Sequence, residues 1–298
     1  MTTSPRAAPD STASTASTGP TGSTGSPASE HAFGPRLRAW REFRRLSQLD
    51  LSLEAEISQR HLSWLETGRS QPSRKMVLQL SEALDIPLRE RNALLGAAGY
   101  AALYRERGLD EEEMGTVNEA LRKMLDQQMP YPGIVLDREW NVLMTNGCAD
   151  AMLQALGGES LWSEIGCGEQ PNLALLTIHP KGLRPLIANW DDAAREFTLR
   201  LKRDLAGTRD PVLRQRLERM IDMASDHRDP AELVAPALMP MLTLDLRVGE
   251  ELLRLFTVIS TFGTPQDVTT DELRIESFFP LDEASDRLLR LLASSGDG

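Results

Sequence analysis

Between Phe33 and Gly99 the apolar residues recur at helical spacing and are punctuated by capping residues, which predicts a run of short helices and no strand. Pro35 suits a first helical turn, and Leu37 and Trp40 share one face of a helix running to about Leu46. Ser47 caps a second unit carrying Leu49, Leu51, Leu53 and Ala55, and Ser58 caps a third over Gln59 to Thr67. That third unit turns Leu62 and Leu65 inward with Ile57, leaves Gln59, Arg60, Ser63 and Trp64 outward, and ends at Gly68. Ser73 caps a fourth unit with Met76, Val77, Leu80 and Leu84 inward, and Pro87 opens a fifth through Leu94 and Leu95.

Beyond residue 108 the period changes. Asp110 to Met129 predicts an amphipathic helix with Met114, Val117, Leu121 and Leu125 on one face, and its acidic start complements the helix dipole. Two short β-prone runs follow, Ile134 to Leu136 and Trp140 to Met144, and Asn146 then opens a helix to Leu156. The stretch from Asn172 to about Ala224 is helical in period. Met241 to Val248, Leu252 to Phe262 and Leu273 to Phe279 predict strands, with Gly249-Glu250 as a hairpin turn and a closing helix over Asp282 to Leu292. The fold class expected is therefore multidomain: an all-α five-helix domain, then an α+β domain with a five-stranded antiparallel sheet and helices on one face, a layout that encloses a pocket.

Charge sharpens the division. The chain has 298 residues and a net charge of −11, too acidic to coat a polyanion over its whole surface. The excess is uneven: residues 33–108 carry a net +4 and residues 109–298 a net −14, so only the first domain is suited to meet nucleic acid. Residues 1–32 are almost wholly Ser, Thr, Gly, Pro and Ala and are expected to form a disordered tail. The predicted organisation is a tail over 1–32, a DNA-binding domain over 33–108 and a second domain over 109–298. With 2 cysteines and 4 histidines, neither a disulfide framework nor a metal cluster is expected, and no cofactor is called for. No run of apolar residues is long enough for a membrane span and no secretion signal opens the chain, so a cytoplasmic location without membrane association is expected.

Two short helices joined by a tight turn in a basic bundle can present the second helix to a DNA major groove. The blocks Leu46-Ser47-Gln48, Ile57-Ser58-Gln59-Arg60-His61-Leu62-Ser63, Leu65-Glu66-Thr67-Gly68-Arg69 and Pro72-Ser73-Arg74 resemble the Xre/Cro/C1-type helix-turn-helix family. That resemblance implies that Gln59, Arg60 and Trp64 face base edges and that Gln48, Ser58, Arg69 and Arg74 hold the DNA backbone. Arg forks onto guanine and Gln onto adenine; Trp64 serves either a thymine methyl or packing against the turn. The resemblance also implies a scaffold pair between Arg41 and Glu66. Arg45 and Glu56 depart from the pattern, standing where many members have glycine.

Downstream, Pro130-Tyr131-Pro132, Leu136-Asp137-Arg138-Glu139-Trp140-Asn141, His179-Pro180, Ala188-Asn189-Trp190, Phe262-Gly263-Thr264-Pro265 and Glu272-Leu273-Arg274-Ile275-Glu276 resemble the C-terminal domain of the MmyB-like transcription regulators. The resemblance implies a PAS-like domain that binds a small apolar ligand, a fatty acid or related acyl molecule. Tyr131, Trp140, Trp190, Phe256 and Phe262 are the large side chains available to line its pocket, with Asn146 and Thr264 as polar candidates to orient a ligand head. Each aromatic has a second reading, as a packing residue that fills the interior.

No nucleophile elbow, phosphate loop or paired metal ligands are present, and Cys167 with His179 makes no recognisable catalytic constellation, so the chain is not expected to be an enzyme. Two functions remain. One is a homodimeric, ligand-responsive transcriptional regulator on a palindromic double-stranded operator. The other is a DNA-binding adaptor, antitoxin-like, whose acidic domain holds a protein partner.

Overall fold

The computed structural model describes residues 32–167, 170–225 and 243–295; the expected tail falls almost wholly outside them, as do Met241 and Leu242 of the first late strand. The amino-terminal part is built of α1 (Phe33–Phe43), α2 (Gln48–Glu54), α3 (Gln59–Glu66), α4 (Arg74–Ala83) and α5 (Leu88–Ala97). Their starts are fixed by side chains. Ser47 Oγ accepts from Asp50 N at 3.1 Å while Asp50 Oδ2 accepts from Ser47 N at 2.9 Å, and Ser58 and Ser73 accept from His61 N and Met76 N, each at 3.2 Å. Each such cap is worth about 1 kcal/mol.

The apolar faces meet in one core, with Leu37, Trp40, Leu51, Leu62, Leu65, Val77, Leu80 and Leu95 buried in it. Leu49 and Leu53 stay outside it, at 51% and 70% exposure, because leucines spaced by two cannot share a helix face. α1 crosses the end of α3 so closely that a Cβ on Gly34 would lie 2.5 Å from Glu66 O. Across the same crossing Arg41 grips Glu66 with both nitrogens of its fork, Nε at 2.6 Å and Nη2 at 3.0 Å. Arg45 and Glu56, at the turns before α2 and α3, adopt φ of 58° and 50°. These turns therefore keep the left-handed conformation that glycine suits, with a side chain added.

A 3-10 turn at Glu112–Met114 leads into α6 (Gly115–Gln128), β1 (Gly133–Leu136), β2 (Val142–Thr145), α7 (Gly147–Ala155), α8 (Gly158–Glu164) and α9 (Leu173–Ile178). A second 3-10 turn at Arg184–Leu186 precedes α10 (Trp190–Gly207) and α11 (Pro211–Ser225). The chain ends in β3 (Thr243–Val248), β4 (Glu251–Ser260), α12 (Val268–Glu272), β5 (Arg274–Pro280) and α13 (Glu283–Ser295). The strands form a five-stranded sheet in the order β2-β1-β5-β4-β3, every neighbouring pair antiparallel. The molecule is thus a five-helix domain followed by an α+β domain with a five-stranded antiparallel sheet.

Two local expectations change. Helices cover both faces of the sheet rather than one: Ile134, Leu136 and Phe278 face the main core with α7, α9 and α10, whereas Val135 and Ile275 face α6 through Leu121 and Leu125. The sign of this is β1 itself, apolar at every position from Ile134 to Leu136 and buried throughout. Trp140 stands in the β1–β2 turn rather than in a strand, at φ 71°. Asp137 Oδ1 shapes that turn by accepting from Glu139 N at 2.8 Å and Asn141 N at 2.9 Å.

Candidate functional site

The DNA-reading candidates sit on one surface. Gln59, Arg60 and Trp64 are exposed on α3, and Ser58 at its cap, Arg69 in the loop that follows and Arg74 at the first position of α4 are exposed as well. Arg60 lies with its guanidinium carbon 4.6 Å from the Trp64 ring centroid. Trp64 is 37% exposed, so it is a platform that holds Arg60 on the solvent side of α3 rather than a plug in the turn. Gln48 is half-buried and its amide donates to Glu66 Oε2 at 2.8 Å, which ties it into the Arg41–Glu66 scaffold. The Ser58 hydroxyl oxygen accepts from its own helix, and its O–H is left to donate outward.

The second site lies between the sheet and α7, α9 and α10. An enclosed apolar cavity of about 20 Å³ is walled by Met152, Leu153, Leu156, Phe197, Leu246 and Phe278 among others. Larger grooves exist, one of about 490 Å³ beside Cys167 and Arg216 and one of about 380 Å³ beside Trp40 and Arg209, but these are open to solvent, whereas ligand sites bury most of their occupant. Two polar side chains join the aliphatic wall, Thr177 and Glu276. Thr177 donates its proton to Leu173 O at 2.8 Å, which leaves its oxygen as an acceptor. The Glu276 side chain is 2% exposed, and its Oε1 accepts from Arg200 Nη1 at 3.0 Å. Its Oε2 has no hydrogen-bond partner among the described residues, a state that costs about 1–3 kcal/mol for a buried polar atom.

None of the side chains chosen from sequence for this pocket lines it. Trp140 is fully buried but lies further along α10, its Nε1–H donating to Asp204 Oδ2 at 2.9 Å, with Arg200 and Arg274 over its ring. Asn146 caps α7 and ties Gly133, Leu125 and Tyr131 together through its amide. Tyr131 donates to Asp286 at 2.6 Å, and Asp286 holds the phenol proton more tightly than usual. Trp190 is stacked by Arg184, Phe256 stacks on Phe279, Phe262 packs towards α6, and Thr264 is exposed. The aromatics are used where rings meet guanidinium groups or one another. The cavity is walled mostly by aliphatic side chains, with Phe197 and Phe278 beside them, whose spacing looks like that of any core.

Burial pushes the Cys148 thiol up to about 11 and raises that of Cys167 as well, the reverse of what activates a sulfur nucleophile. Burial, with Lys181 adding to it, lowers the proton affinity of His179, whose Nδ1 accepts from Lys181 N at 3.1 Å.

Helix α10 runs from the cavity to the five-helix domain. Phe197 lines the cavity, Arg200 pairs with Glu276, and Asp204 takes the fork of Arg274 at 2.9 and 2.7 Å. Just past its end, Arg209 N donates to Glu90 Oε1 of α5 at 2.7 Å, and the Arg209 guanidinium covers Trp40 of α1. α12 adds a second clasp. Pro87 cannot cap α5, and the cap comes from the other domain: Asp271 Oδ2 accepts from Leu88 N at 2.9 Å, beside an Arg89–Glu272 pair at 2.7 Å.

A helix-turn-helix bundle clasped to an α+β domain with an internal cavity defines a class, the transcription regulator that carries a ligand-sensing domain. Residues 32–94 match a model described as a helix-turn-helix domain, and residues 117–292 match the model of the MmyB-like transcription regulator ligand binding domain. The chain belongs to this MmyB-like family. No curated protein matches it. Among the described residues no helix is long and apolar enough to cross a membrane.

Proposed function

We propose that this protein is an Xre-type homodimeric regulator, acting in the cytoplasm and without catalytic activity, whose grip on a palindromic operator is set by a small apolar ligand of the fatty-acid or acyl kind. α3 enters the major groove. Arg60 and Gln59 read base edges, Trp64 supports Arg60, and Gln48, Ser58, Arg69 and Arg74 hold phosphates, on half-sites about 10 to 10.5 base pairs apart. The continuous path along α10 carries this reading. A cavity of about 20 Å³ has room for roughly one water, so a ligand enters only as the wall between α10 and the sheet parts. Displacing α10 then moves Arg209 against Trp40 and changes how the two reading heads are set, a coupling of about 1–3 kcal/mol.

The experiment is fluorescence anisotropy on the operator, before and after adding back whatever organic extraction removes from the purified protein and mass spectrometry identifies. A shift in operator affinity is expected; identical affinities would overturn ligand control. The small resting volume of the cavity favours a second reading, an adaptor whose acidic domain binds a protein partner. Under it the extract is empty and affinity responds to the partner alone.

A further inference from the structure

The outer face of α3 holds one apolar side chain. Leu62 and Leu65 turn inward, and Trp64 is left outside at 37% exposure. Its ring carries the guanidinium of Arg60, whose central carbon stands 4.6 Å from the ring centroid. Stacking uses the face of a guanidinium and hydrogen bonding uses its edge, so the fork of Arg60 stays free to bond in its own plane. The two side chains form one unit with two kinds of surface, a planar donor edge and an apolar ring at a set separation from it.

We propose that this unit reads two adjacent base pairs at once: Arg60 forks onto the guanine of one, and the Trp64 indole lies against the thymine methyl of the next. The inference rests on the entry of α3 into the major groove, and it makes Trp64 a specificity-determining residue as well as a support for Arg60. Spacing carries it. A fork on guanine O6 and N7 lies in the plane of that base, and successive base pairs are about 3.4 Å apart. A ring 4.6 Å from the guanidinium thus stands at the level of the neighbouring pair, the excess over one step being taken up by lateral offset. The major-groove edge there offers donors and acceptors, which an indole face leaves unsatisfied, and a single apolar group, the thymine methyl. A G·C pair in that place would set only polar atoms under the ring and strip them of water.

The test starts from duplexes that the full-length protein selects from a random pool. Within the enriched sequence, 7-deazaguanine replaces each guanine in turn, which removes the N7 acceptor, and uracil replaces each thymine, which removes only the methyl; affinities are read by anisotropy titration. In each half-site, the guanine whose replacement costs most is expected to sit in the pair next to a thymine whose replacement weakens binding by about threefold or more. A pair of 5-methylcytosine with guanine at that thymine's position should bind more tightly than one of cytosine with guanine. Arg60→Ala should remove the response to 7-deazaguanine, and Trp64→Ala the response to uracil, a difference that loss of a mere support would not produce. A uracil response that persists in Trp64→Ala, no thymine with a response, or a responsive thymine away from that guanine overturns the proposal while leaving α3 as the reading helix. Selection of no sequence over the pool overturns reading by α3, and the proposal with it.

Discussion

The guanidinium of Arg209 lies 4.7 Å from the ring centroid of Trp40, and so joins the end of the long helix of the ligand-binding domain to the first helix of the DNA-binding domain. Phe43 adds a second ring at 5.5 Å. A cation between two rings and partly removed from water is worth about 1–2 kcal/mol. That is comparable to a whole allosteric coupling of about 1–3 kcal/mol.

Arg209→Ala should therefore uncouple the domains while leaving each folded. Arg60 and the cavity wall are untouched, so operator DNA and ligand are still bound. The expected outcome is that operator affinities of ligand-free and ligand-loaded protein converge, measured by anisotropy titration. A ligand response of undiminished size would mean that coupling runs through the contacts this substitution leaves, the hydrogen bond from the backbone of residue 209 to Glu90 and the clasp at α12.

Arg60 and Arg69 separate reading from holding. Arg60→Ala removes a fork that Trp64 pre-positions at 4.6 Å, and should cost about 1–3 kcal/mol on the operator and little on random DNA. Arg69→Ala should weaken both equally and lower the slope of log affinity against log salt by about one unit. Equal losses on both DNAs for Arg60→Ala would remove it from the reading role.

How much of this was legible in the sequence depended on range. Ser47, Ser58, Ser73 and Asn146 announce their helices because a cap acts within three residues of itself. The strands were legible because each alternates or runs apolar within a few positions. The site in the second domain was not. Glu276 sits in an ordinary strand pattern, and its burial depends on Arg200, 76 positions away in the chain. The cap on α5 comes from Asp271, 183 positions beyond Leu88. Size was a misleading guide as well, since Trp140 and Phe256 went to ring contacts and the cavity is walled mostly by leucines and other aliphatic side chains, with Phe197 and Phe278 the rings that reach it.

Acid should loosen the clasp between the domains. Arg89 bridges Glu106 and Glu272, and its hydrogen bonds hold Glu106 below its usual value of 4.5. A depressed carboxylate contributes stability that is present above its unfolded value and lost as pH falls through the lower folded one. The Arg89–Glu106 pair is therefore expected to be intact at neutral pH and to weaken below about 4.5, which loosens Arg89 where it meets the clasp. Hydrogen exchange at the Leu88 amide, which is bonded to Asp271, reports this directly. Exchange that stays slow until global unfolding would show that the acidic residues do not govern the clasp.

The turn before the reading helix carries a cost that one substitution can remove. Glu56 is exposed and adopts φ 50°, where a Cβ crowds the backbone by about 1–2 kcal/mol. Glycine relieves that strain but adds freedom to the unfolded chain, an opposing effect of about 0.4–1 kcal/mol. The difference favours the variant, and Glu56→Gly should raise stability by up to about 1 kcal/mol, seen as a higher urea midpoint with an unchanged slope. The backbone angle is already the one glycine prefers, so α3 keeps its direction and operator affinity should hold within twofold. A lower midpoint would mean that the Glu56 side chain stabilises the turn by more than its strained backbone costs.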